Sequence, residues 1–247
     1  MVSELLNLRE VEKRFLTERV KGRTLARGAW VYAGEPRERR EVLEAYGLYR
    51  CELAMRRALL YTRAALQALA AATRAAGAVA VEARRRAGLP APRGAPQAEG
   101  LAEAAGGFEE LAERMDAAYR GARDLLPRLI AGARMALTEA EKLGCLPGAA
   151  KPIASRLELA AAKESPKRNY RWWFSETGRE LLAAAEATVV AYALWRGRAR
   201  ELEERVKPAR ARSSFVEEDW LRYQQVRQET LAEAQRLQGL LERLGKA

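Results

Sequence analysis

Histidine is absent from all 247 residues, and Asn, Asp and Ile number only 2, 3 and 2. No histidine means no Ser-His-Asp or Cys-His nucleophile, no carboxylate–histidine di-iron site and no His-bearing zinc site. The two cysteines, Cys51 and Cys145, lie 94 positions apart and form no Cys-x-x-Cys pair, which excludes a zinc finger. Two buried thiols are the expectation. One disulfide is the alternative, of a kind that some heat-loving organisms keep inside cells. The chain also lacks a run of about 18 uninterrupted apolar residues. Its richest stretch, Leu182 to Trp195, contains Glu186, and Met1-Val2-Ser3-Glu4 carries an acid where a signal peptide carries bases. The expectation is a soluble, cytoplasmic protein with no integral membrane association.

What is abundant points one way. Ala (50) and Leu (33) far outnumber Val (12), and the turn formers Asn and Asp are nearly missing. Strong helix formers in that excess predict an all-α protein. Arg (36) outnumbers Lys (8), and the 44 cations exceed the 33 carboxylates by +11, for a pI near 10. Arginine grips phosphate in bidentate fashion and stacks on bases. A GC-rich genome or thermophilic ion-pair networks also enrich arginine, but they account less well for the net charge.

The apolar spacing predicts long helices. The first runs from Ser3 to about Arg27 and carries Leu5, Leu8, Val11 and Phe15 on one face. A second spans Pro36 to Ala87, stepping through Leu48, Cys51, Met55, Leu59, Thr62, Leu66, Leu69, Thr73, Ala76 and Ala80. Three prolines and two glycines within residues 88–96 mark a linker. It divides the chain into an N-terminal part (1–88), a linker (89–98) and a C-terminal part (99–247), which together could form one intertwined bundle. A third helix covers Glu99–Leu143 with a kink expected at Pro127, and a short one follows over Pro152–Lys163. Thr177-Gly178-Arg179-Glu180 and Ser214-Phe215-Val216-Glu217 read as capping boxes. They open two helices whose stripes are 181/185/188/192/195/199/202/206 and 216/220/223/227/230/234/237/241/244. The fold class expected is a long-helix bundle with this antiparallel pair at its C-terminal end.

Functional candidates are basic. Lys167-Arg168-Asn169-Tyr170-Arg171-Trp172-Trp173-Phe174 interleaves cations with aromatics, as a single-strand-binding surface requires. The competing reading has the aromatics plugging an end of the bundle. Lys207, Arg210 and Arg212 flank a proline turn free of acids, and Arg84, Arg85 and Arg86 end a helix, where cations also suit the macrodipole. No Gly-rich nucleotide loop or regular metal box is present. The acids Glu109, Glu110, Glu113 and Asp116 read as a solvated face. The reading is therefore non-enzymatic, with no cofactor and no metal: a subunit of a nucleoprotein assembly that binds DNA or RNA non-specifically through its backbone. The alternative is a helical scaffold that self-associates, or holds a partner protein, through residues 178–244. A third class would lay the Leu5–Phe15 face on anionic lipid.

Overall fold

The computed structural model describes residues 5–20, 36–90, 107–162 and 170–245; for 19, 20, 36 and 170–174 it describes the backbone alone. Among these residues there are six α-helices and no strand: α1 (Leu8–Phe15), α2 (Pro36–Arg86), α3 (Phe108–Lys142), α4 (Ala150–Ala162), α5 (Tyr170–Val206) and α6 (Ser214–Gly245). A π-helical turn, Leu16–Val20, extends α1, and a 3₁₀ turn, Lys207–Ala209, joins α5 to α6.

The 51-residue α2 is the axis of the bundle, and α3, α5 and α6 all pack on it. Antiparallel α3 is registered by Gly132 against the Tyr61 ring and by Arg86 over the Phe108 ring, 5.3 Å from its centroid. Antiparallel α5 is registered by Glu52 with Tyr192 and Trp195, and by Gly178 against Leu69. Parallel to α2 runs α6, through Arg56–Glu229 and Arg63–Glu233. Short α4 bridges α3 and α5. One apolar core runs through both sides of the 89–98 segment, from Leu6 and Tyr46 to Leu137, Trp195 and Leu237.

Every residue of the stripe read on α5, from Leu181 to Val206, is buried. On α2 the reading holds to Leu69 and then slips: Thr73 and Ala80 face water while Ala72 and Ala78 turn inward. On α6 one layer is corrected. Val216, Trp220, Tyr223, Thr230 and Leu237 are buried as read, and Asp219 is buried beside Trp220. Further along, the alternate layer is Val226, Glu233 and Leu240, where periodicity favoured Arg227, Ala234 and Leu241. Glu233 takes the seam because α2 supplies arginine to it, through Arg63.

Two helix starts read differently from their capping signals. Thr177 is no cap; it is buried inside α5, which begins at Tyr170. Glu217 does sit in the first turn of α6, but its carboxylate is bound to Arg210. Pro127 is exposed and α3 runs through it as continuous helix. By mean hydropathy α2 is long and apolar enough to cross a membrane, which a search for uninterrupted apolar runs misses, since Ala supplies the apolarity and scattered polar residues break it. The same helix is the one its neighbours pack against.

The α1 face is consumed internally. Val11 and Phe15 are buried, and Phe15 meets Tyr46 edge-on with centroids 5.2 Å apart. The chain entering α1 lies so close to α2 that a Cβ on Gly47 would stand 2.5 Å from Leu6 Cδ1. It also crosses the turn after α3, where Gly144 adopts φ +84° and a Cβ would come within 2.7 Å of the Asn7 nitrogen. Only glycine meets both demands there. The Arg198 guanidinium closes this crossing by donating to the carbonyls of Gly144, Cys145 and Leu5 at 3.1–3.2 Å.

Cys51 and Cys145 are bonded and both buried, with Cα atoms 5.8 Å apart; the expectation of free thiols is corrected. The register of the α2–α3 hairpin brings the α3 C-terminal turn onto the first third of α2, a proximity that sequence separation conceals. Closing a 94-residue loop restricts the unfolded chain, so Cys51→Ala/Cys145→Ala should lower stability by about 4–5 kcal/mol in the chain-entropy estimate. Guanidinium unfolding of the two proteins measures this, and unchanged stability would mean the crosslink constrains nothing.

Candidate nucleic-acid interface

Most described arginines are held by carboxylates, and one carboxylate commonly serves several. Glu139 receives Arg14 at 3.0 Å and Arg50 at 2.5 Å, with Arg57 at 3.9 Å. Glu44 is shared by Arg40 (3.0 Å) and Arg205 (3.2 Å), Glu41 by Arg37 (3.2 Å) and Arg212 (2.7 Å), and Glu82 by Arg85 and Arg86. Surplus positive charge is thus expressed as arginine clusters around single glutamates. Burial opposes the charge on Arg50, but Glu139, Tyr46 and Glu18 outweigh it and keep that guanidinium above its ordinary pKa.

The structure separates the basic residues read from sequence. Lys167 and Arg168 lie outside the described residues, and the side chains of Tyr170, Arg171 and Trp172 are not described. The 207–212 turn is positioned by the close of α5 and the start of α6, and its cations are engaged. Lys207 pairs with Glu204 at 2.7 Å. Arg210 grips both oxygens of Glu217 at 2.6 and 2.9 Å and lies 5.4 Å from the Trp220 ring centroid. Arg212 reaches across to Glu41. At the far end of α2, Arg85 and Arg86 pair with Glu82, and Arg84 donates to the Pro90 carbonyl at 2.7 Å. The two groups sit at opposite ends of α2 and form no common surface.

A different basic group does converge. An open cleft of about 480 Å³ lies across α3 between α1 and α4, lined by Arg14, Arg134 and Lys142 with Thr138, Met135 and Glu139. Among the described residues its sole carboxylate is Glu139, the one divided among three arginines. Arg134 also reaches Glu158 of α4, and Lys142 has no side-chain partner among the described residues. Met135, 72% exposed, adds an apolar side chain at the cleft's edge. The cleft gathers guanidinium and ammonium donors and a hydroxyl around one carboxylate, a donor set able to hydrogen-bond an anion. Sequence reading misses it because its cations are isolated along the chain. The i, i+4, i+8 spacing of Arg134, Thr138 and Lys142 marks the α3 share, whereas nothing in sequence links Arg14 to them. Among the described residues no cluster of His, Cys, Asp or Glu is placed to hold a metal ion.

The second polar feature lies inside the bundle. Glu52 of α2 has no exposed surface and accepts from Tyr192 Oη at 2.7 Å and Trp195 Nε1 at 2.8 Å, with Arg196 at 3.7 Å. Arg196 continues to Glu203 at 2.9 Å and to Tyr223, whose hydroxyl donates to Glu203. Burial pushes the Glu52 carboxyl above its ordinary range, and its hydrogen bonds only partly offset this. Burial likewise raises Tyr192 and Tyr223, helped by Glu52 and Glu203 respectively, and raises Tyr46, helped by Glu18. The donors and acceptors are matched among themselves, so the network holds helices together.

Comparison with known proteins finds no matching family model, no curated protein of significant similarity and no solved structure that matches.

Three phenols held above their ordinary pKa near 10 make folding lose stability as pH rises past that value, because the folded state retains protons the unfolded chain releases. In an alkaline titration followed by tyrosinate absorbance, three of the eight tyrosines should ionise only together with the loss of helical circular dichroism. Glu52→Leu strands two donors and Arg196, and should cost about 3–5 kcal/mol. Smooth ionisation of all eight within the folded state would contradict the network.

Proposed function

We propose that this protein binds nucleic acid through phosphate contacts at the α1–α3–α4 cleft, without reading base sequence, as a non-enzymatic subunit of a nucleoprotein assembly. The observation that carries this reading is the convergence of Arg14, Arg134 and Lys142 on one open cleft around a carboxylate already divided among three arginines. Of the three, Lys142 has no carboxylate partner among the described residues, while Arg14 is shared by Glu139 and Glu10 and Arg134 pairs with Glu158, so a phosphate would take up Lys142 and the guanidinium donors those pairs leave over. The overall +11 adds long-range attraction for a polyanion. Cations that line a cleft, on helices packed into the bundle, favour backbone contact over base readout. The 165–174 segment, Lys167, Arg168, Tyr170, Arg171 and Trp172, is the second contact in this proposal, as a stacking and phosphate patch. The arginine networks and the buried disulfide suit a chain that works at high temperature, in the cytoplasm of a thermophile.

The test is fluorescence anisotropy with mixed-sequence DNA and RNA across a salt series. Affinity should be measurable near 50 mM salt and fall steeply by 200 mM, roughly 0.9 log unit per log unit of salt for each phosphate contact to duplex DNA. Arg134→Glu/Lys142→Glu should weaken binding more than tenfold and flatten the salt slope by about two contacts. Lys207→Glu, in the turn between α5 and α6 and outside the cleft lining, should change it much less than the cleft pair does. Reversing Lys167, Arg168 and Arg171 reports on the second contact. Absence of binding to either nucleic acid at low salt would sink the proposal.

A further inference from the structure

The outer face of α5 carries a second apolar seam that is half-buried at Ala183 and Ala187 and exposed at Val190, Leu194 and Gly197. The inner seam, from Leu181 to Val206, is fully buried. On the opposite side Ala183, Ala187, Val190, Leu194 and Gly197 follow the same four-three spacing, the signature of a helix that packs on another helix. Val190 and Leu194 are 58% and 60% exposed, and a Cβ on Gly197 would meet nothing within 4 Å. Val190 and Leu194 stand one helical turn apart and so present a single apolar strip to solvent.

The charges beside this seam say what fits it. In heptad terms Val190 and Gly197 are d positions, Ala187 and Leu194 are a positions, and the flanking g positions are Glu186, Ala193 and Arg200. The opposite flank holds Ala184 and Ala191, which are buried. Glu186 and Arg200 are both exposed, carry opposite charge and have no hydrogen-bond or ion-pair partner among the described residues, unlike most charged residues here. When two such helices run antiparallel, a layers meet d layers and g meets g. Leu194 then stacks on Val190 of the other copy, Ala187 on Gly197, and Glu186 faces Arg200, every contact made twice about a two-fold axis near Ala193. A parallel pair would oppose Arg200 to Arg205 and leave Glu186 facing a buried alanine.

We infer that α5 pairs antiparallel with α5 of a second copy of this chain through Val190 and Leu194, with Glu186–Arg200 ion pairs on both sides. The seam is short, so the dimer is concentration-dependent. It forms without nucleic acid and lies on a helix that does not line the cleft, so it stands apart from the proposed function.

Sedimentation velocity of the full chain at concentrations up to about 0.2 mM, a range that reports micromolar affinities, tests the pairing. The native protein should move from monomer to dimer, and Leu194→Glu should remain monomeric with unchanged helical circular dichroism. Glu186→Arg and Arg200→Glu should each weaken the dimer about five- to tenfold, since two exposed pairs become repulsive. Mixing these two variants in equal amounts should restore it. In the mixed dimer one copy presents arginine at both flanking positions and the other presents glutamate at both, so each of the two pairs is again of opposite charge. A native protein that stays monomeric, a dimer that survives Leu194→Glu, or a mixture that fails to recover would each overturn the inference. The last outcome would exclude the antiparallel arrangement in particular.

Discussion

The structure depends on carboxylates buried under arginine, tyrosine and tryptophan donors. Glu52 is the clearest case: a carboxylate without solvent, in the middle of the central helix, is tolerable only while Tyr192, Trp195 and Arg196 are all in place. Those three residues lie on α5, and Arg196 passes the requirement to Glu203 and to Tyr223 of α6. One polar site therefore sets the rotation and height of three helices. An Ala-rich core by itself would let such smooth surfaces slide.

The same device recurs along the bundle. Glu44, Glu139 and Glu233 are each buried or half-buried and each bind at least two arginines from different helices or turns. Because guanidinium is planar, presents several donors and never loses its charge, it can join two elements in a way lysine cannot. The arginine bias of the composition thus has a structural use before any ligand is considered. It also changes how the net charge is read. The turn cations at 207–212 look free in sequence and are spent on the fold, while the cleft cations look scattered and come together.

Charge and apolar surface fall on different parts of the molecule. The cleft across α3 gathers cations beside α1 and α4, and the outward seam of α5 gathers valine and leucine with one exposed charge of each sign. The first is the surface proposed for a polyanion and the second the one proposed for another copy of the chain.

Sequence alone determined the all-α class, the extent of α2 to within a residue, the end of α3 and the complete inner stripe of α5. Helix propensity and three-four periodicity are local properties that survive without knowledge of neighbours. It could not determine which side of α6 faces inward once that choice lay between Ala234 and Glu233, because burying an acid there is decided by an arginine 170 positions away. Nor could it read Thr177 as the interior of a helix, pair Cys51 with Cys145, or gather Arg14, Arg134 and Lys142 around one cleft. Those outcomes belong to the register in which α3, α5 and α6 dock on α2, and that register is set by long-range donor–acceptor matching to which local periodicity is blind.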